Sequence, residues 1–198
     1  MRRVVVTGLG IVSCIGNTVP DVRDALQQGR SGIELIPERK VMGFRSALGG
    51  RIQGLDAINV PKRNLRQMGP ASYFAVHAAQ QAIADAGLGP EQIRNDRTAV
   101  IIGNVGNFQD TYRQCHMFRD EGLKLGGTAL QKVMADSPSA NLSVLLGTRG
   151  YSLTVSAACA TGAAAVGLAF QLIRGGLQDR AITGGVHEDS WEYFCNFD

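Results

Sequence analysis

The stretch Tyr151-Ser-Leu-Thr-Val-Ser-Ala-Ala-Cys159-Ala-Thr-Gly162 joins two segments of different periodicity. Tyr151 to Val155 is predicted to form a buried strand, and Ala160 to Ile173 a helix of small and aliphatic residues. Cys159 therefore lies at a helix N-terminus, where unpaired N–H groups and the positive end of the macrodipole favour thiolate over thiol. Because the thiolate is the reactive form, the junction predicts a nucleophilic cysteine.

An ordinary buried cysteine is the alternative interpretation of Cys159, because most free cysteines behave as small hydrophobic residues. The neighbouring residues favour a nucleophile. They are so small that a substrate or another backbone segment can approach the turn closely. These small neighbours are Ala157, Ala158, Ala160, Gly162, Ala163, Ala164, Ala165 and Gly167.

The composition of the 198-residue chain is that of a soluble globular protein, with 44% hydrophobic and 19% charged residues. The net charge of +3 is not gathered into a basic stripe, so no nucleic-acid partner is expected. The four cysteines lack CxxC spacing and disulfide-scaffold density, which predicts a reducing cytoplasm. Since no apolar stretch suits a membrane span or a signal peptide, neither export nor a membrane partner is expected.

Strands alternate with helices along the chain, which predicts an α/β fold with a parallel sheet covered on both faces. Residues 30 to 69 lack periodicity and are predicted to be irregular. Besides those at Cys159, the predicted strands are Arg3 to Thr7, Ala99 to Ile102 and Arg180 to Thr183. The other predicted helices are Pro20 to Gln28, Pro70 to Ala86, Thr111 to Arg119, Leu130 to Met134 and Asn141 to Leu146.

The glycines after the first predicted strand invite a dinucleotide-binding interpretation. The GxGxxG pattern that begins at Gly8 fails, because Ser13 occupies the third glycine position and no helix starts directly after it. A tight structural turn is the better explanation. No zinc-type H-x-E pairing occurs either, so neither a cofactor nor a metal is expected.

Three histidines are candidates for a base beside Cys159. His77 lies within a predicted helix, and His116 lies among residues that favour packing. His187 follows two glycines at a strand end, where functional residues gather in α/β folds, although a lone histidine is weak support for a catalytic role.

Two further clusters stand out. Lys62, Arg63 and Arg66 form a basic group, with Arg119 and Lys124 as further contributors from a later helix. Charge alone leaves open whether this group is a solvated surface or docks an acidic partner. The last eight residues carry four of the twelve aromatic residues, and such a terminus is typical of a chain interrupted within a fold. These four are Trp191, Tyr193, Phe194 and Phe197.

Three motifs in this order resemble the N-terminal half of an elongating β-ketoacyl-(acyl-carrier-protein) synthase of the type I/II kind. They are Arg2-Arg-Val-Val-Val-Thr-Gly-Leu-Gly-Ile-Val-Ser13, Gln81-Ala-Ile-Ala-Asp-Ala-Gly87 and Ser156-Ala-Ala-Cys-Ala-Thr161. The resemblance implies a thiolase-like fold, layered α-β-α-β-α in the intact enzyme, of which residues 1–198 supply the first α/β half with a mostly parallel mixed sheet. It also implies a dimer, a homodimer or a heterodimer, paired through the strand from Tyr151 to Val155.

The resemblance also implies roles for individual residues. Cys159 would accept an acyl group from acyl carrier protein, and malonyl carrier protein would then lose carbon dioxide and attack the acyl-enzyme. Tyr193 and Phe197 match acyl-pocket positions, and the size and polarity of Tyr193 disfavour long saturated chains. Lys62, Arg63, Arg66 and Lys124 match the surface that meets carrier protein. The two histidines and the lysine needed for decarboxylation belong to the second half of the family's enzymes, so this chain alone is not expected to condense its substrates.

Fatty-acid synthesis is the default pathway for such an enzyme. Alternatives are a ketosynthase of a polyketide or aryl-polyene pathway, a non-catalytic partner subunit that sets chain length, and a degradative thiolase acting on coenzyme A thioesters. A non-catalytic partner needs no nucleophile, so Cys159 argues against it. The basic cluster suits a carrier protein better than a free coenzyme A.

Overall fold

A three-stranded parallel sheet lies at the centre of the fold. The computed structural model describes residues 2–198, and its strands are β1 (Ile33–Leu35), β2 (Leu48–Gly50), β3 (Thr98–Gly103), β4 (Ser152–Val155) and β5 (Arg180–Gly185). β3 lies between β4 and β5 and is parallel to both, whereas β1 and β2 form a separate antiparallel pair. The predicted α/β fold is confirmed, and the antiparallel pairing falls outside the central sheet.

The helices cover both faces of this sheet and follow the predicted order. The helices are α1 (Val19–Gln27), α2 (Pro37–Val41), α3 (Lys62–Leu65), α4 (Pro70–Asp85), α5 (Pro90–Ile93), α6 (Phe108–Arg119), α7 (Ala129–Val133), α8 (Ser137–Leu146), α9 (Thr161–Arg174) and α10 (Trp191–Phe194). Single 3₁₀ turns occur at Ala158–Ala160 and Cys195–Phe197. Among residues 2–198, no helix combines the length and apolarity that a bilayer crossing requires.

The hydrophobic core lies on both sides of β3. Val100 and Ile102 pack with Val76 of α4 and Leu142 of α8 on one face. Ala99 and Ile101 pack on the opposite face with a second group of residues. That group consists of Ala165, Ala169 and Leu172 of α9. Because β3 is buried on both faces, its residues from Ala99 to Ile102 are all apolar and do not alternate with polar ones.

Helix α4 shows why local sequence predicts some elements well. Pro70 occupies its first turn, where a missing N–H has no cost. Gly87 follows its C-terminal end with φ of +65°, a conformation that glycine adopts without a Cβ penalty. The predicted helix from Pro70 to Ala86 is therefore confirmed to within one residue.

The predicted strand from Arg3 to Thr7 is wrong, because this segment pairs with no strand in the described part of the chain. The chain that follows it is instead fastened to α4. The Leu9 N–H donates to the Asp85 carboxylate at 2.9 Å, and the backbone at Gly8 touches the α4 backbone too closely for any Cβ. A cavity of about 630 Å³ lies between residues 4–12 and β5, so the valines of the segment meet no ladder partner there.

One side chain of α4 joins several parts of the N-terminal region. The Gln81 Nε2 group lies 3.1 Å from the Ile11 carbonyl, 2.7 Å from the Asn17 carbonyl and 3.0 Å from the His77 Nδ1. Its Oε1 accepts the Ile11 N–H at 3.3 Å. Residues 11 and 17 are therefore tied to α4 through a single amide.

Residues 30–69 contain more regular structure than the predicted irregular segment. They hold β1, α2, β2 and α3, each of which is between three and five residues long. Elements this short leave no detectable periodicity in sequence, which explains the error. The buried Arg39 donates to the Leu48 carbonyl at 2.8 Å and its guanidinium lies 4.8 Å from the Phe194 ring centroid, which fixes the region against the C-terminal segment.

Candidate active site

Three loops meet at the carboxyl edge of the central sheet. β3 ends at Gly103, opposite Val155 at the end of β4 and Gly185 at the end of β5. Because the strands are parallel, the segments that follow them start side by side, which is where α/β proteins usually bind ligands. One of these segments carries Cys159, and another leads into α10.

Cys159 lies on a tight turn between β4 and α9. Its neighbour Ala158 has φ of +48° and is the only non-glycine residue with positive φ among residues 2–198. An L-residue in this conformation costs about 1–2 kcal/mol, so the surroundings must hold the turn in place. The Cys159 side chain is exposed, as a nucleophile that meets a large substrate requires.

Thr161 holds the strained turn in place from within. Its Oγ1 accepts the Ala157 N–H at 2.8 Å, while the Ala160 N–H donates to the Ala157 carbonyl at 3.0 Å. Thr161 is buried, and its Cγ2 lies 2.5 Å from the position that a Cβ on Gly103 would occupy. The absence of a side chain at Gly103 therefore lets the start of α9 reach the sheet edge.

No histidine supports Cys159 within the described part of the chain. The His77 Nδ1 faces Gln81, and the His116 Nδ1 lies 2.6 Å from the Asp120 carboxylate on the surface. Among residues 2–198, neither nitrogen of His187 finds a hydrogen-bond partner, and its ring centroid lies 4.0 Å from that of Tyr193, edge to face. Burial lowers the pKa of His187, which keeps the ring neutral and suited to packing.

The two residues predicted to line an acyl pocket lie in one aromatic group, which also contains Phe108. The rings of Tyr193 and Phe197 have centroids 5.3 Å apart. Phe108, at the start of α6, places its ring 5.0 Å from that of Tyr193. The contact of Phe108 with Tyr193 could not be predicted, because the two residues lie far apart in the chain and only the fold brings their rings together.

Three carboxyl groups lie close to this aromatic group in the fold. Glu188 is buried, and its Oε1 accepts the Phe108 and Gln109 N–H groups at 2.7 and 2.9 Å. Burial raises the pKa of Asp110 and of Glu192, and the neighbouring Glu188 charge raises both further. Within residues 2–198, no group of three or more His, Cys, Asp or Glu residues could hold a metal ion.

The predicted basic cluster is exposed and free of ion pairs within the described residues. Lys62 and Arg63 lie on α3, and Arg66 follows that helix directly. Lys124 is also exposed and lies on the connection between α6 and α7. Arg119, by contrast, pairs with Asp120 and is not free to meet a partner in the same way.

Solved structures of ketosynthases share this fold. The crystal structure of a β-ketoacyl synthase from Burkholderia phymatum superposes with a TM-score of 0.92 at 28% identity, covering 100% of this chain and 50% of that one. A type II polyketide synthase acyl-carrier protein in complex with its hexaketide-bound ketosynthase, AntDE:AntF, gives a TM-score of 0.78 at 26% identity, covering 93% of this chain and 45% of that one. These neighbours confirm the predicted thiolase-like α/β architecture.

The sequence shows the family directly. The model of the β-ketoacyl synthase N-terminal domain matches residues 1–197, so the chain belongs to the β-ketoacyl synthase family. The 3-oxoacyl-(acyl-carrier-protein) synthase 1 of Haemophilus influenzae is 40% identical over 201 residues, which cover 100% of this chain and 50% of that protein. The chain thus spans about half the length of the curated relative that it matches.

Proposed function

We propose that the chain is the N-terminal half of a ketosynthase that extends acyl groups by two carbons on acyl carrier protein in fatty-acid biosynthesis. The observation that carries this proposal is the exposed Cys159 on its strained turn at the start of α9. The name of the H. influenzae relative supports the reaction class.

In the first step, the Cys159 thiolate attacks the carbonyl carbon of an acyl thioester. A carbon–sulfur bond forms to Cys159, the bond to the carrier's sulfur breaks, and the departing thiolate takes up a proton. The backbone N–H of Cys159 stabilises the negative charge that develops on the carbonyl oxygen. The exposed position of the side chain admits a substrate that is attached to a protein.

In the second step, malonyl carrier protein loses carbon dioxide and its carbanion attacks the acyl carbonyl. A carbon–carbon bond forms, and the bond to the Cys159 sulfur breaks. Decarboxylation requires groups that polarise the malonyl thioester. Within residues 2–198, His77 and His116 contact other side chains and His187 has no hydrogen-bond partner, so none of the three is proposed for this role.

Lys62, Arg63, Arg66 and Lys124 are proposed to dock acyl carrier protein. Exposed cations without ion pairs can meet a negatively charged surface without first breaking other contacts. The AntDE:AntF structure shows a ketosynthase with a bound carrier protein, which supports this kind of partner.

A dimer through β4 is part of the same proposal. β4 lies at the edge of the central sheet, and Leu153 on β4 and Val144 on α8 are exposed hydrophobic side chains. Pairing of β4 with the same strand of a second protomer would satisfy its free edge. A homodimer is the simpler arrangement, and a heterodimer uses the same edge.

A ketosynthase of a polyketide or aryl-polyene pathway is the second candidate. Tyr193 lies between the rings of Phe108 and His187, so the pocket wall is bulky and partly polar. Such a wall suits a short or unsaturated chain better than a long saturated one. The pathways are distinguished by the acyl groups that Cys159 accepts.

The decisive experiment is acylation of Cys159. The protein is incubated with acyl carrier protein thioester and its peptides are analysed by mass spectrometry. We expect the acyl mass on the Cys159 peptide, its loss in Cys159→Ser and its retention in Cys115→Ser. If the protein folds but is never acylated, the proposal of a catalytic ketosynthase is contradicted, and a non-catalytic partner subunit is favoured. Acylation by acyl coenzyme A but not by the carrier would favour a thiolase.

A further inference from the structure

Glu188 caps a helix that lies far from it in sequence. Its side chain is 2% exposed, and Oε1 accepts hydrogen bonds from the Phe108 N–H, the Gln109 N–H and the Ser190 hydroxyl. Phe108 and Gln109 are the first two residues of α6, whose N–H groups have no partner within the helix. A carboxylate at this end also interacts favourably with the helix dipole.

The residue at the N-cap position of α6 does not perform this task. The Asn107 side chain makes no capping hydrogen bond. Its Oδ1 instead accepts from the Asn104 amide at 3.2 Å, and its Nδ2 donates to the Met134 carbonyl at 2.6 Å. The start of α6 therefore depends on Glu188, which belongs to the segment after β5.

Two aromatic contacts continue from this cap and join α6 to α10. The Phe108 ring lies 5.0 Å from the Tyr193 ring, and the Tyr112 ring lies 5.2 Å from the Trp191 ring. The backbone N–H of Phe108 is the group that Glu188 holds. The capping carboxylate thus fixes the position from which Phe108 meets Tyr193.

We propose that Glu188 is a positioning residue that sets the spacing between Phe108 and Tyr193, and thereby the length of acyl chain that the pocket accepts. The effect on chain length rests on the proposed function, whereas the effect on packing does not. Glu188 itself touches neither substrate nor Cys159 in this role.

The contacts of Glu188 indicate which variants separate charge from hydrogen bonding. Glutamine keeps an oxygen acceptor for the α6 N–H groups but removes the charge, whereas alanine removes both. The second oxygen, Oε2, has no hydrogen-bond partner within residues 2–198, so an amide at that position breaks no existing contact. Glu188→Gln is therefore expected to keep the cap, and Glu188→Ala to lose it.

Trp191 reports on the packing directly, because it is the only tryptophan in the chain. We expect its fluorescence emission to shift to longer wavelength in Glu188→Ala and to match the wild type in Glu188→Gln. Gln178→Ala serves as the control, since Gln178 is also a buried polar residue but makes its contacts at Asp96 and Leu177. An unchanged Trp191 spectrum in folded Glu188→Ala would overturn the proposal. If that variant does not fold, Glu188→Asp is measured instead, and an unshifted spectrum there has the same meaning.

Acylation of Cys159 by carrier thioesters of increasing chain length tests the functional part. We expect Glu188→Ala to change the ratio of long-chain to short-chain rates by about threefold or more, and Glu188→Gln to leave the ratio unchanged. A uniform loss at all lengths would show a merely structural role and overturn the proposal. If the wild type is never acylated, the proposed function fails, while the Trp191 measurement still decides the packing role.

Discussion

Gly162 and Gly185 are in backbone contact, and the contact is asymmetric. A Cβ on Gly185 would lie 2.8 Å from the Gly162 Cα, whereas a Cβ on Gly162 would lie 3.4 Å from the Gly185 Cα. The first distance is too short for carbon atoms, and the second is an ordinary van der Waals contact. Because Gly162 lies in the first turn of α9, this contact determines how closely the helix behind Cys159 approaches the sheet.

Alanine at these two glycines is therefore expected to have opposite effects. Gly185→Ala should lower the free energy of unfolding by about 1–3 kcal/mol, because the added methyl overpacks the contact. Gly162→Ala should raise it by up to about 1 kcal/mol, since an alanine loses less backbone entropy than a glycine when it becomes helical. Urea unfolding of both variants measures the difference, and equal losses would contradict the asymmetry.

Glycine at position 158 should relieve the strained turn. The positive φ of Ala158 costs the folded state about 1–2 kcal/mol, which glycine would remove. Glycine also makes the unfolded chain more flexible, and this lowers stability by about 0.4–1 kcal/mol. Ala158→Gly is therefore expected to raise the free energy of unfolding by about 0.5–1 kcal/mol. Ala158→Val is the matched control and should destabilise the protein. Thermal unfolding of both variants tests the backbone conformation at this turn.

Charge reversal in the basic cluster should weaken the encounter with acyl carrier protein. Arg63→Glu combined with Arg66→Glu is expected to slow Cys159 acylation from the carrier thioester about tenfold at low salt, and less at high salt. Acylation from a small acyl thioester should not change. Arg30→Glu, at another exposed arginine, is the control. Equal slowing with both donors would place the effect at Cys159 rather than at docking.

His187 should make the protein less stable in mild acid. Burial lowers the pKa of His187, and Glu188 and Asp189 oppose that shift. As the pH falls through the ordinary value near about 6.5, the unfolded chain takes up the proton first, so stability is lost there. His187→Phe should lose less stability than the wild type between about pH 7.5 and 5.5, by at most about 1.4 kcal/mol per pH unit. Parallel pH profiles of unfolding would contradict this.

The sequence was most informative where a signal is local. Pro70 and Gly87 mark the ends of α4, and the small residues around Cys159 predict the turn at the start of α9. The segment from Arg3 to Thr7 has strand-like residues but no strand to pair with among residues 2–198, and its partners could not be known before the fold. Strand propensity is a property of the segment's own residues, whereas strand pairing depends on which other strands lie beside the segment in the fold.

The candidate site also contains some residues that local sequence predicts and others that only the fold brings together. Cys159 could be predicted because its own neighbours define the turn. The approach of Phe108 to Tyr193, and the cap that Glu188 supplies, join residues that lie far apart in the chain. Long-range contacts of this kind leave no periodic signal, so they became visible only in the structure.

The Gln81 amide also bears on how the protein opens under native conditions. Its Nε2 donates to the Ile11 and Asn17 carbonyls and its Oε1 accepts the Ile11 N–H, so loss of the contacts of this one side chain frees both residues together. Residues 2–17 should consequently detach from α4 as one cooperative unit. Their amide hydrogens would then exchange at a common rate and earlier than those of β3, which has a paired strand on either side.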